Sequence, residues 1–438
     1  MQAIPIMPRR TCRAGALRAW LLTVAVTALA AGAASAGIPA AAPAVEIDCA
    51  FPGGNIFVDR IEGDDVYLRQ DLRDTAGHWF YWNFRVRGAA GRTLTFHFTN
   101  GDVLTRMGPC CSLDGGKTWR WLGPEAIKAA AKPAPAPAAP ADAKSPAKPA
   151  GPAFAFAFPP DAADVRLAFS IPYQESNLKE FLARHQGRAD LKVDTLCRTP
   201  KGRSAEVLYL GRMDAGPDYR LAFTCRHHAC ESTADYELEG LMEAVLADDD
   251  LGRWYRGHAA ILVVPFVDKD GVEDGDQGKN RKPHDHNRDY AGDSIHPTVA
   301  AIKKLLPAWS AGRLDVAIDL HCPSLKDDFI HFVGGSDSEG WQRVLRLCAI
   351  LKESQKGPLV YDPADNVPFG TKWNTGTGTQ MSFGQWARTL PGIRIATTIE
   401  FPYALARKTP VTVDSARAFG RDVAVALRQY LEKEPASP

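Results

Sequence analysis

Val316-Ala317-Ile318-Asp319-Leu320-His321 decides how this chain is read. Its apolar, partly β-branched run predicts a buried strand, and the two-residue period of a strand puts Asp319 and His321 on one side at its end. Similar runs occur at Glu206–Leu210, Leu221–Thr224, Ala260–Val267, Leu314–Leu320 and Ile393–Phe401. Helical patterns lie between them. Leu238, Leu241, Met242 and Val245 share a face, and Val413–Leu431 is amphipathic at helical spacing. Buried strands alternating with helices predict an α/β domain over 171–435, a mixed and mostly parallel sheet with helices on both faces. Such sheets build their sites at strand ends. Thr224, Val267, Leu320 and Glu400 fall at or near those ends.

Upstream the pattern changes. Residues 46–170 read as short strands with polar turns, which predicts a small antiparallel β-sandwich domain. Leu94, Phe96 and Phe98 alternate onto one face, and His78–Val86 is aromatic and β-branched. An Ala/Pro/Lys-rich insertion at 124–152 lacks side chains to bury and is read as an extended linker. At the start, Arg9, Arg10, Arg13 and Arg18 precede the apolar stretch Ala19–Ala31 and Ala34-Ser35-Ala36. This reads as a signal peptide over 1–36, so the expected location is periplasmic or secreted. No later stretch is long and apolar enough to span a bilayer. The net charge of +1 over 438 residues gives no electrostatic case for nucleic acid or an acidic membrane. Eight cysteines follow the signal, and Cys225, Cys230 and Cys322, beside the candidate site, are read as buried core.

Chemistry concentrates in four places. His228 and Glu231 are three apart, a spacing that lets both reach one metal from a turn. With eleven histidines in the chain the pair carries weight only through its context, a strand ending at Thr224 and a helix starting after Glu231. His321 supplies a third ligand and leaves one position open for water, as catalytic zinc requires. Asn287 and Arg288 can grip a carboxylate, arginine with a planar fork of donors. Asp285 and Asp319 are candidate partners behind the ligand histidines. His284 and His286 are read as exposed loop histidines. Glu400, in Thr397-Thr398-Ile399-Glu400-Phe401, is costly in an apolar strand unless it has a partner or a task. Beside a metal-activated water it can take and return a proton.

The order Arg226-x-His228-x-x-Glu231, Asn287-Arg288, Asp319-x-His321, Glu400 resembles the M14 zinc carboxypeptidases. The aromatic β region in front, ending near Phe169–Tyr173, resembles their cytosolic-carboxypeptidase-like branch and its bacterial members. The resemblance implies one Zn2+ per chain held by His228, Glu231 and His321. It implies a terminal carboxylate held by Asn287 and Arg288, and Glu400 as general base and acid in cleaving the C-terminal amide bond of a peptide. The family also has an arginine that polarises the scissile carbonyl, and Arg281 is the candidate. Two departures stand out. The cytosolic branch often has His-Pro-Gly-Glu where this chain has His228-Ala229-Cys230-Glu231, and no tyrosine lies between Asp362 and Glu400 to cap a substrate. An exported chain does not imply the cytosolic branch's substrates. Two alternatives stay open. One is a zinc amidohydrolase acting on N-acyl amino acids or cell-wall peptides. The other is a non-catalytic zinc-containing surface protein that uses Trp79, Trp82, Trp119 and Trp121 for binding, although alternating aromatics read first as core.

Overall fold

Large apolar side chains alternating with small or polar ones build two facing sheets in the first part of the chain. The structure is a computed structural model that describes residues 44–128, 151–214, 216–376 and 380–434. The signal expected at 1–36 and residues 129–150 of the Ala/Pro-rich tract lie outside these residues. The strands are β1 (Glu46–Asp48), β2 (Phe57–Glu62), β3 (Asp65–Arg69), β4 (Asn83–Arg87), β5 (Thr93–Phe98), β6 (Cys110–Ser112), β7 (Arg120–Trp121), β8 (Ile127–Lys128), β9 (Ala153–Ala157) and β10 (Val165–Ala168). They form sheets of order β1-β4-β10-β6-β7 and β2-β3-β5-β9-β8. Leu94, Phe96 and Phe98 all point inward, and Phe96 stacks on Phe154 of β9 at 4.9 Å. Burying a phenylalanine stabilises by about 1.5–3 kcal/mol, and an aromatic pair adds roughly 0.5–1.5 kcal/mol.

Two features differ from expectation. β3 and β5 pair in parallel, because the chain crosses to the other sheet through β4 between them. Residues 78–82 are not strand. The Tyr81 N–H donates to Gln277 Oε1 and Gln277 Nε2 donates to Tyr81 O, so a side chain from the second part of the molecule satisfies this backbone.

The second part begins with α1 (Glu175–Arg184), β11 (Leu191–Arg198), β12 (Ser204–Gly211), β13 (Tyr219–Cys225), α2 (Thr233–Leu246), α3 (Asp250–His258), β14 (Ala259–Val264) and α4 (Lys269–Asp274). It continues with α5 (Pro297–Ser310), β15 (Val316–His321), β16 (His331–Val333), α6 (Ser338–Ser354), α7 (Phe383–Ala387), β17 (Ile395–Glu400) and α8 (Val413–Lys433). The sheet order is β11-β12-β14-β13-β15-β17-β16. β14, β13, β15 and β17 run parallel, while β11, β12 and β16 join antiparallel, so the parallel part is confined to the centre.

Alternation divides the central strands between two layers. Leu221, Phe223, Val316, Ile318 and Leu320 pack with α2, α6 and α8, whereas Ala222, Ala317 and Ala396 pack with α5 and α7. Period two then sends Asp319, His321 and Glu400 to the α5/α7 side at the strand ends. Among the described residues no helix is long and apolar enough to cross a membrane.

Candidate metal centre and active-site cleft

β13 ends at Cys225, and the chain turns through Arg226, whose φ of 58° is left-handed. A left-handed non-glycine residue costs roughly 1–2 kcal/mol. The fully buried guanidinium offsets this by donating to Asp235 Oδ2 at 2.6 Å, Tyr173 O at 2.9 Å and, through Nε, Ala229 O at 3.1 Å. The turn from His227 to Glu231 is thereby fixed between strand β13 and helix α2.

Three ligand-type atoms converge there. His228 Nδ1 lies 3.0 Å from Glu231 Oε1, His321 Nδ1 lies 2.7 Å from Glu231 Oε2, and the two Nδ1 atoms are 3.1 Å apart. All three residues are buried. Two imidazole nitrogens and a carboxylate bound tetrahedrally to zinc at about 2.0–2.1 Å stand roughly 3.3 Å from one another, so the set fits such an ion. The chemistry of the donors agrees. His321 Nε2 sits 2.6 Å from Asp319 Oδ2, so that Nε2–H donates to this carboxylate and Nδ1 keeps its lone pair. His228 Nε2 faces Asp285 Oδ1 at 3.5 Å. Burial would raise the Glu231 carboxyl, but Lys279, His228 and His321 outweigh it and hold the group well below its ordinary range.

A second layer ties these ligands down. Asp319 accepts from Thr224 Oγ1 at 2.7 Å and contacts His227 Nδ1 at 2.8 Å, and His227 Nε2 meets Tyr290 Oη at 2.8 Å. Burial alone would raise Asp319, yet His227 and His321 depress it. Asp285 is depressed likewise, burial being outweighed by His228 and Arg288.

The triad opens into a cleft of 480 Å³ lined by Glu400, Lys279, Arg288, Arg388 and Trp373, among others. Among the described residues Glu400 Oε2 is buried without a hydrogen-bond partner. Among the described residues neither Arg288 nor Arg388 makes an ion pair, so two guanidinium groups face the cleft. Lys279 Nζ is 2.9 Å from Glu231 Oε1.

The first part of the molecule supports this region. Trp79 Nε1 donates to Cys230 Sγ at 3.2 Å, and Asn55 Nδ2 donates to Gly275 O at 2.7 Å. Asp74 accepts the Gln277 and Gly278 N–H groups at 3.0 and 2.8 Å.

The metallo-carboxypeptidase of Burkholderia cenocepacia superposes with a TM-score of 0.70 at 18% identity, covering 89% of this chain and 99% of that one. The metallo-carboxypeptidase of Pseudomonas aeruginosa, solved in complex with (2-guanidinoethylmercapto)succinic acid, gives 0.64 at 19% identity, covering 89% and 99%. The fold of this chain is that of these bacterial metallo-carboxypeptidases. Its sequence is 28% identical over 187 residues to cytosolic carboxypeptidase 6 of Caenorhabditis elegans, which is 40% of either chain. It is 27% identical over 208 residues to cytosolic carboxypeptidase 4 of Homo sapiens, 43% of this chain and 19% of that one. The matches therefore span less than half the length of these two relatives. No family model matches the chain.

Within this fold, the structure brings His228, Glu231, His321, Glu400, Asn287 and Arg288 to one cleft, with Asp285 and Asp319 behind the histidines. Asn287 differs from a free gripping amide. Its Oδ1 accepts the Phe383 N–H at 2.9 Å, which ties it to the start of α7, and its Nδ2 lies 3.1 Å from His321 Nε2. Arg281 is a correction. Asp268, Asp276 and Asp74 hold its guanidinium at 2.6, 3.1 and 3.3 Å, and it does not line the main cleft. His286 is also a correction, being buried and stacked on His296 at 3.8 Å, while His284 pairs with Asp289 at 2.7 Å.

Trp82 is core, whereas Trp79, Trp119 and Trp121 are half-buried against it. Cys225, Cys230 and Cys322 are buried and free. The sequence reading missed His227, Lys279 and Arg388. His227 adjoins a ligand histidine and Lys279 lies two residues from Arg281, which were the only signals available.

Proposed function

We propose that this chain is a zinc carboxypeptidase that hydrolyses the C-terminal amide bond of peptides. The observation that carries the reading is the convergence of His228, Glu231 and His321 within one cleft that also holds Glu400 and unpaired guanidinium groups. His228, Glu231 and His321 would hold the ion, a two-histidine, one-carboxylate set typical of catalytic zinc with an open position. When bound there, zinc supplies a water of lowered pKa and a Lewis acid for the carbonyl.

The rest is done by the chain. Glu400 takes the proton of the attacking water and returns it to the leaving nitrogen as the C–N bond breaks. Its buried, unpartnered Oε2 suits a group that meets its partner only in the complex. Arg288 holds the terminal carboxylate through charge-assisted hydrogen bonds. Asn287 accepts the Phe383 N–H and so holds the start of α7 beside that clamp. Asp319 and Asp285 orient the ligand imidazoles.

The test is release of C-terminal residues from a peptide library by the purified, zinc-loaded protein, beside Glu400→Gln. Release that stops in the variant and after chelation supports the reading. No release from a protein with one zinc per chain would overturn it. We also propose, from the sequence of residues 1–36 alone, that the chain is exported; fractionation of cells making the full chain tests this, and a cytosolic full-length product would refute it.

A further inference from the structure

Lys279 and Arg388 line the cleft without a role so far. The segment from Gly275 to Arg281 is anchored to the N-terminal sheets by Asn55, Asp74 and Gln277. Gly278 then lies backbone to backbone on the ligand turn. It has φ +77°, and a Cβ there would stand 2.1 Å from Ala229 N. Only glycine fits that approach, and it delivers the next residue, Lys279, to the metal ligands.

The Lys279 ammonium is 2.9 Å from Glu231 Oε1, lies 5.1 Å from the centre of the Trp79 ring, and lines the cleft with His228, His321 and Glu400. Arg281, two residues on, is caged by three carboxylates outside that cleft. We propose that Lys279, and not Arg281, is the cation that stabilises the scissile carbonyl oxygen as it gains negative charge. This rests on the carboxypeptidase reading.

The physical case is one of preorganisation. A lysine ammonium has three N–H donors, of which Glu231 takes one. Trp79 and the backbone of Gly278 hold it before substrate arrives, so little reorganisation accompanies the reaction. Its ammonium faces two carboxylates, Glu231 at 2.9 Å and Glu400 in the same cleft. It donates hydrogen bonds and keeps its proton. The water oxygen bonds to the carbonyl carbon, the C–N bond breaks, and Glu400 carries the proton to nitrogen.

The experiment compares zinc-loaded wild type, Lys279→Met and Lys279→Arg. It measures kcat and KM on a peptide with a free C-terminus, zinc per chain, and the affinity of a peptide phosphonate that mimics the tetrahedral anion. In Lys279→Met, kcat should fall about 10²–10³-fold with KM within about threefold and zinc retained. Phosphonate affinity should fall by a similar factor, and Lys279→Arg should recover part of both losses. Lys279→Met with kcat and phosphonate affinity within about threefold of wild type overturns the assignment, by the same measure of transition-state binding. So does loss of zinc in step with activity, since Lys279 would then serve only Glu231. A wild type that releases nothing overturns the carboxypeptidase reading itself, and this assignment with it.

Discussion

His321 and Glu400 are register partners on the adjacent parallel strands β15 and β17, one ending in a proposed metal ligand and the other in the proposed base. Neighbouring strands stand about 4.8 Å apart, so a rigid hydrogen-bonded ladder sets the spacing between metal and base. Neither side chain depends on a loop for its position. Glu400→Gln should therefore keep zinc at one per chain by elemental analysis, while kcat falls about 10²–10⁴-fold. A variant with most of its turnover would remove Glu400 from the mechanism.

Asp319 touches no proposed substrate position, yet it faces His321 and His227 together. Asp319→Asn should weaken zinc affinity about 10–100-fold in a competitive chelator titration. Unchanged affinity would mean that the His321 tautomer is set by something else.

Arg288 is exposed at the cleft and free of carboxylate partners among the described residues. Arg288→Ala should lower kcat/KM for free C-termini about 10–100-fold, the worth of one charge-assisted hydrogen bond. It should leave the poor turnover of amidated peptides as it is. Equal losses on both substrates would place the clamp elsewhere, with Arg388 the next residue to examine.

The cage around Arg281 predicts a pH effect on stability. Burial would raise Asp268, but His286 and Arg281 outweigh it and bring its pKa from 3.8 down to about 2. A depressed folded-state pKa stabilises above the unfolded value, and that stabilisation is lost as pH falls through the folded value. The window is therefore 3.8 to about 2; at neutral pH His286, pushed down to about 3 by burial, is uncharged, so Arg281 carries the contribution, on the order of 1 kcal/mol. Asp268→Asn should lose about that much in urea unfolding and show a shallower decline below pH 4. A decline as steep as that of wild type would exclude Asp268 as its source.

The strands, the helices and the convergence of His228, Glu231 and His321 could be read from the chain because their signals are local. Apolar periodicity marks β15 and β17, and His321 and Glu400 stand where those runs end. His228 and Glu231 became informative only with a strand before them and a helix after them. The extent of the parallel sheet was less legible, because strand direction depends on partners chosen across the fold.

What the sequence by itself determined is the layered α/β scaffold and the residues that meet at the ends of its strands, since burial and period leave each such side chain one direction. What only the tertiary structure decided is which cation of Lys279-Asn280-Arg281 enters the cleft. Asp74, from the N-terminal part, holds the Gly278 N–H at 2.8 Å and Arg281 at 3.3 Å, while Gly278 packs on Ala229. Contacts between segments about two hundred residues apart turn Lys279 inward and Arg281 away, and no local pattern in the chain encodes them.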